Sequence, residues 1–307
     1  ASVTSYSSEL GFDSNANKIN IAYQHLNATT GKLVVGTVSG TSISFGSAID
    51  TPPTNDNTIE NLVIFDSGNN KMVVSYRDES NNSGTSFVFQ NVSSNNTDFV
   101  GITDEAISSA ASGSVIVQGG VGTGVSLPYP LIVGAPVIFE AAATYSTATV
   151  FDSNSNKVVI SYRDVGNSSY GTSVVGTVSG TTITFGTPVV FNSSTTTELS
   201  STFDSTSNKV IVSFRWGGSA PSGNYGGASV GTVSGTSITF GSIVTFSAGY
   251  TSSTATTYDS VNDKVVIAYK NDDNSGYGTA VVGTVSGTSI SFGTDVVFET
   301  ASVASVA

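Results

Sequence analysis

The sequence predicts an all-β fold, a β-propeller of five four-stranded blades, or six if an insertion in the second repeat completes a sheet of its own. Three observations carry this expectation. The stretch VVGTVSGTSISFG, Val34–Gly46, returns nearly unchanged at Val174–Gly186, Ser229–Gly241 and Val281–Gly293. A second element, FDSNANKINIAY and its variants, opens at Phe12, Phe65, Phe151, Phe203 and Tyr258. Charged residues are only 10% of the chain, against roughly 25% in an average soluble domain. Gly, Ser, Thr, Val and Asn fill the space instead, a composition of short strands and tight turns. Regular Val, Ile, Phe and Tyr positions set it apart from a disordered chain.

The last copy shows the unit strand by strand. SSTATTYD is a first strand and SVND a turn. KVVIAYK is a second strand, with Val265, Ile267 and Tyr269 on one face and Val266, Ala268 and Lys270 on the other, as a period of two requires. NDDNSGYG is a polar loop and TAVVGTV a third strand. SG is a two-residue hairpin signal. TSISFG begins a fourth strand with Ile290 and Phe292 inward, and DVVFE extends it past a Gly suited to a bulge. Four antiparallel strands in about 50 residues, repeated, are the pattern of a propeller blade. A single blade cannot bury both faces of its sheet, but stacked neighbours can. A long β-solenoid is the rival, with shorter repeats and no regular pair of hairpins.

The recurring aspartates Asp13, Asp66, Asp152, Asp204 and Asp259 are 53, 86, 52 and 55 residues apart. The long interval is an insertion. VFQNVSSNNTDFVG, Val88–Gly101, aligns with the opening stretch and matches Phe99 to Phe45. From Phe99 to Phe139 is 40 residues, where the last copy has 6, so 34 are extra. The units run about 1–50, 51–142 with the insertion at about 102–135, 143–194, 195–249 and 250–307, all in one repeat domain. The insertion holds at least one strand, GSVIVQGG. The tail FETASVASVA resembles FEAAATYSTAT, which leaves two readings open: end-to-end ring closure, or one piece of a longer array.

The net charge is −12 and the pI near 4.2, with 10 scattered Lys and Arg. A nucleic-acid binder should carry a basic patch, so no nucleic-acid partner is expected. There are no cysteines, which excludes disulfides and thiolate metal sites. No apolar run reaches membrane-spanning length, so no membrane insertion is expected. No secretory leader is visible at ASVTSYSSEL. An acidic, Lys-poor surface suits an extracellular or particle-surface protein.

SYRDVGNSSYGTSVVGTVSGTTITFGTPVVF resembles repeats in large β-propeller-like proteins of marine phages and bacteria, often tail-fibre-like or surface proteins. FVGITDEAISSAASGSVIVQGGV resembles a module that follows such repeats in phage tail proteins, although here it sits inside a repeat. The resemblance covers nearly the whole chain and implies a structural or adhesive part of a virion or cell surface, partnered by other structural proteins. It supplies no catalytic residues.

The repeated DSxxNK reads as a turn, with Asp capping backbone N–H groups and Asn tolerating positive φ. It lacks the sixth-position Gly and distant Glu of an EF-hand calcium loop. The Lys that follows begins the second strand and could pair with the Asp. The loops after the second strand vary most, and binding residues concentrate in loops on a rigid scaffold. They place Arg77, Asp78, Arg163, Asp164, Tyr170, Arg215, Trp216, Tyr225 and Tyr277 at one end of the units. Aromatic rings beside Arg, Asp and Asn suit sugar recognition. Alternatively, Arg and Asp form inter-blade ion pairs and Tyr packs beneath the loops. Trp216, the single Trp, lies in the longest loop.

Catalysis has little sequence support. His25 is the lone histidine, and no Ser-His-Asp arrangement surrounds it. The adjacent carboxylates Asp78/Glu79, Asp104/Glu105 and Asp272/Asp273 are weak signals for the spaced pair of a glycosidase. GGVGTG, Gly119–Gly124, lacks the rest of a nucleotide-binding motif. Sequons at Asn27, Asn81, Asn91, Asn95, Asn167 and Asn192 are expected by chance in so Asn-rich a chain. The sequence therefore predicts a non-enzymatic structural or adhesive component of a phage tail or microbial surface, in contact with glycans and without a cofactor or metal. The alternative is a lectin with one sugar site per blade, and a polysaccharide hydrolase is third.

Overall fold

A computed structural model describes residues 8–24, 31–51, 58–91, 102–103, 115–116, 131–217 and 224–306. The fold is all-β and antiparallel, with a single 3-10 turn at Asp272–Asn274 among the described residues.

The fourth repeat shows how the unit is built. Its first strand is the second half of the long strand Val189–Asp204, its second strand is Lys209–Trp216 and its third Tyr225–Ser234. The fourth strand comes in two pieces, Ser237–Phe240 and Val244–Ser247, both paired with the third. The break is the bulge expected at Gly241, whose N–H donates to Val230 O at 2.9 Å; Gly46, Gly186 and Gly293 make the same bond. The hairpin turns need left-handed backbone at Gly40, Gly180, Gly235 and Gly287, where φ is +59° to +61°. Only a residue without Cβ adopts this freely.

The DSxxNK turns form as predicted. The Oδ1 atoms of Asp13, Asp152, Asp204 and Asp259 each accept two backbone N–H groups, while Asp66 accepts the N–H and side-chain amide of Asn69. Asn17, Asn70, Asn156, Asn208 and Asp263 have φ between 53° and 56°. The following Lys crosses to the third strand in some copies: Lys209 Nζ donates to Thr232 at 2.9 Å and Lys18 Nζ to Thr37 at 2.7 Å.

The second and third repeats, and the third and fourth, share a strand. Val137–Asp152 closes the second repeat's sheet on Ser83–Gln90 and opens the third's on Lys157–Asp164. Val189–Asp204 joins the third and fourth repeats in the same way. In the second repeat, Ile132–Val133 pairs with Phe89 and Gln90, and Gly134 N–H donates to Val88 O. The ladder therefore resumes at Ile132, inside the segment that the sequence assigns to the insertion. Within that segment Ile102–Thr103 and Val115–Ile116 form a two-stranded ladder of their own. Val92–Val100, including Phe99, lies outside the described residues, as do His25, Asp104, Glu105 and Gly119–Gly124.

Each sheet has a rear face, toward the preceding repeat, and a forward face. Val210, Val212, Phe214 and Ile238 point back onto Val150, Val159, Val175 and Phe191 of the third repeat. Ile211, Ala228, Val230 and Phe246 point forward onto Val265, Ile267, Tyr269 and Ile290 of the fifth. Val73, Val88 and Phe139 meet Val158, Ile160 and Tyr162 between the second and third repeats. Ala22 and Leu33 meet Met72, Val74 and Tyr76 between the first and second. Each such side chain contributes about 1.5–3 kcal/mol when fully buried, so the four interfaces are the core. Among the described residues, no sheet joins the fifth repeat to the first.

After the second, third and fourth repeats, a hairpin carbonyl of the next repeat approaches a glycine closely, Gly134, Gly186 and Gly241. A Cβ on Gly186 would lie 1.8 Å from Thr236 O of the next repeat's hairpin, and one on Gly241 would lie 1.8 Å from Thr288 O. A Cβ on Gly293, in the last repeat, would meet only Val282 O at 3.8 Å. Gly186→Ala should therefore cost about 1–3 kcal/mol by forcing the hairpin away. Gly293→Ala should leave stability unchanged or raise it by up to about 1 kcal/mol through the unfolded chain's entropy. Thermal unfolding of the two variants checks the contrast; equal effects would refute it.

Candidate functional site

The variable loops cluster where each first strand begins. There the first strand carries a bulge, with register shifts between Tyr145 and Ala148, Thr197 and Ser200, and Ser252 and Ala255. Ser146, Glu198 and Ser253 take positive φ at these bulges. Such bulges re-aim side chains. The loops are tied down by a recurring backbone bond: Thr144 N–H to Asn82 O, Thr196 to Ser169 O and Thr251 to Asn224 O, each 3.0 Å.

The arginines of the SYRD-type loops lie between repeats. Arg77 sits over the ring of Tyr145 in the next repeat, 4.2 Å from its centroid, and Arg163 lies 5.6 Å from the same ring. Arg215 Nη1 donates to Tyr250 Oη of the next repeat at 3.0 Å, Nε to Thr197 Oγ1 at 2.9 Å, and Nη2 pairs with Glu198 at 3.7 Å. The expected Arg–Asp ion pairs between blades are replaced by arginine–tyrosine contacts, because Asp78 and Asp164 turn into their own loops. Asp78 accepts the N–H and Oγ of Ser80, and Asp164 the N–H of Asn167. Arginine–aromatic contacts of this kind contribute about 0.5–2 kcal/mol.

Trp216 is half-buried against the core between the third and fourth repeats, edge-on to Tyr225 at 5.9 Å. Its indole N–H is buried with no partner among the described residues. Tyr170, Tyr225 and Tyr277 are half-buried at the starts of the third strands, opposite Asp164, Trp216 and Asn271. The nine predicted residues thus share one end of the repeats, but only Arg77, Arg163, Arg215 and Trp216 lie in contacts between repeats, in separate clusters.

Two residues missed in the sequence complete the cluster at the fourth and fifth repeats. Tyr250 is 38% exposed, its hydroxyl held by Arg215 and its N–H donated to Asp273 Oδ2 at 3.0 Å. The Arg215 guanidinium lies 5.2 Å from its ring centroid. Glu198 accepts the Ser253 N–H at 3.1 Å and pairs with Arg215. Lys270 and Asp272, 3.0 Å apart, and Ser252, which donates to Asp272 at 2.5 Å, border it. Neither Tyr250 nor Glu198 lies in the variable loops; their signal was the irregular residue just before an otherwise repetitive first strand.

A second cluster gathers carboxyl groups that are remote in sequence. Tyr162 Oη donates to Glu140 Oε2 at 3.2 Å, and Glu140 Oε1 accepts the Ala142 N–H at 2.9 Å. Burial, with the Glu140 charge behind it, raises the Asp164 carboxyl above its ordinary value, against the opposing pull of the Asn167 and Gly166 N–H groups. Burial and the same two carboxylates push the Tyr162 phenol up. Asp164 therefore gives up its proton at higher pH than a free aspartate, near a Glu140 that accepts two hydrogen bonds. Among the described residues, no group of three metal-ligating side chains gathers.

Two sequons are structural. Asn91 is buried and donates to Asp13 Oδ2 at 2.9 Å, bridging the first two repeats, and Asn192 is buried against Thr196. Asn81 and Asn167 are exposed; Asn27 and Asn95 lie outside the described residues.

No protein family matches the chain, and no curated protein does. Solved structures of similar, propeller-like fold exist. A protein from Lactobacillus plantarum has TM-score 0.57 and 10% identity over 94% of this chain and 70% of its own. The intramolecular trans-sialidase of Ruminococcus gnavus has TM-score 0.43 and 10% identity over 79% of this chain and 46% of its own. An exo-1,5-α-L-arabinanase from a bovine ruminal metagenomic library has TM-score 0.38 and 8% identity over 94% and 96%. At these identities the likeness is one of fold. The expectation of a non-enzymatic protein does not stand: two of these structures are enzymes by name, which is said of them and not of this chain.

If Glu140 holds the Asp164 titration up, Glu140→Gln should move it toward the ordinary 3.8. Because the folded-state value is raised, Asp164 reduces stability as pH rises through its titration range, and the variant should lose part of that decline. Carboxyl NMR titration checks this; an unchanged or higher Asp164 value would contradict it.

Proposed function

We propose that the protein recognises carbohydrate at the loop end of its repeats, as part of a particle or cell surface, with the five repeats serving as blades of an open, propeller-like array. The observation that carries the reading is the cluster at Tyr250. An aromatic ring remains exposed while Arg215 fixes its hydroxyl and Glu198, Asp272, Asp273 and Lys270 border it. A ring of this kind stacks on the apolar face of a sugar, and the charged groups around it bond hydroxyls. The carbohydrate-active enzymes of propeller-like fold support the reading, as does the resemblance of the repeats to surface proteins.

A second reading, cleavage of a glycosidic bond, is favoured by two carboxyl groups brought near one another, Glu140 held by Tyr162 and the Ala142 N–H, and Asp164, whose titration burial and the Glu140 charge raise.

A glycan array followed by titration calorimetry tests the first reading. Tyr250→Ala should weaken binding of the best glycan by at least about tenfold, a loss of roughly 1.4 kcal/mol. No binding across a broad panel, or unchanged affinity in the variant, would overturn it. For the second reading, release of reducing sugar from the bound glycan should fall at least a hundredfold, on the order of general-acid contributions, in Asp164→Asn. Equal release by the variant would remove Asp164 from that role.

A further inference from the structure

The first and fifth repeats each expose an apolar face of a kind that the interior repeats cover. On the first repeat's rear face, Phe12, Val38, Ile43 and Phe45 are exposed, Phe12 and Phe45 each by 51%. Their counterparts in the fourth repeat, Phe203, Val233, Ile238 and Phe240, pack against the third repeat. On the fifth repeat's forward face, Val282, Val296 and Phe298 are exposed, Phe298 by 57%. Their counterparts Val175, Val189 and Phe191 pack against the fourth repeat.

Two further features mark the forward face as vacant. The turn aspartates Asp13, Asp66, Asp152 and Asp204 are buried, whereas Asp259 is only half-buried. Gly186 and Gly241 each admit the hairpin carbonyl of the following repeat, Thr236 and Thr288, while the space above Gly293 is open. The first repeat carries the matching hairpin, with Thr41 after the left-handed Gly40.

We propose that the fifth repeat's forward face binds the first repeat's rear face of a second copy of this chain. The join continues the interface already made four times within the chain: Phe298 and Val282 cover Phe12, Ile43 and Phe45, and the partner's Thr41 carbonyl seats on Gly293. Within one chain these faces stand apart, as the exposure of both shows. The contact is head-to-tail, so each copy keeps one free face of each kind, and association propagates rather than stopping at a symmetric dimer.

Sedimentation velocity on the 307-residue chain over a concentration series tests this. The unmodified chain should show a sedimentation coefficient that climbs with concentration. Phe12→Asp and Gly293→Val should each raise the midpoint of association by at least about tenfold. Gly293→Val is the control for folding, since its side chain enters open space, and near-native circular dichroism and melting should accompany its defect. An equimolar mixture of the two variants should form a dimer and nothing larger, because each retains one intact face. A chain that stays monomeric at every concentration overturns the proposal, whether the faces remain bare or close on each other. So does association that either variant leaves intact, or a mixture that assembles no better than its components.

Discussion

A sheet apolar on both faces cannot stand alone in water, and the structure follows from how that constraint is met. In the third repeat Val158, Ile160 and Tyr162 point back, while Val159 points forward, and all four are fully buried. One sheet supplies half of two cores, and neither core exists without a neighbour. The shared strands Val137–Asp152 and Val189–Asp204 add a covalent consequence: leaving one sheet places the chain at the start of the next. Small residues mark where the approach is tightest, as at Gly186 and Gly241.

The same arrangement sets the chemistry of the loop end. Arg77 and Arg215 lie on the forward side of their second strands, so each meets a tyrosine of the following repeat. A site here belongs to a pair of repeats and not to one. Changing either member alters the cluster, and the pairs differ: two arginines share Tyr145 between the second and third repeats, while Arg215, Glu198 and Tyr250 form a hydrogen-bonded group between the fourth and fifth. Identical scaffolds thereby carry different surfaces.

Much of the fold was legible because it is local and repeated. The hairpin at Ser-Gly, the capped Asp turn and the alternation of Val265 to Lys270 each follow from a few adjacent residues. The facing of the sheets was less legible, since period two separates the faces but does not say which looks forward. The site was partly legible. Arg215 and Trp216 stood out in a variable loop, but Tyr250 and Glu198 reach it from a first strand, through a bulge at Glu198 that no turn motif announces. The Glu140–Asp164 approach was invisible for the same reason: the two sit on different sheets, joined by one long strand. The second repeat's return to its ladder at Ile132 was obscured by Val88–Gly101, which imitates the opening stretch.

Native-state hydrogen exchange on dilute protein addresses the dependence of every sheet on its neighbours most directly. Amides in equivalent positions of the third strands should be protected according to how many faces are covered: Val174 and Val175, and Ser229 and Val230, most strongly, and Val34 and Val35, and Val281 and Val282, at least about tenfold less. Equal protection in all five repeats would mean that each sheet is stable by itself or that the array opens only as a whole, and either result would contradict the account.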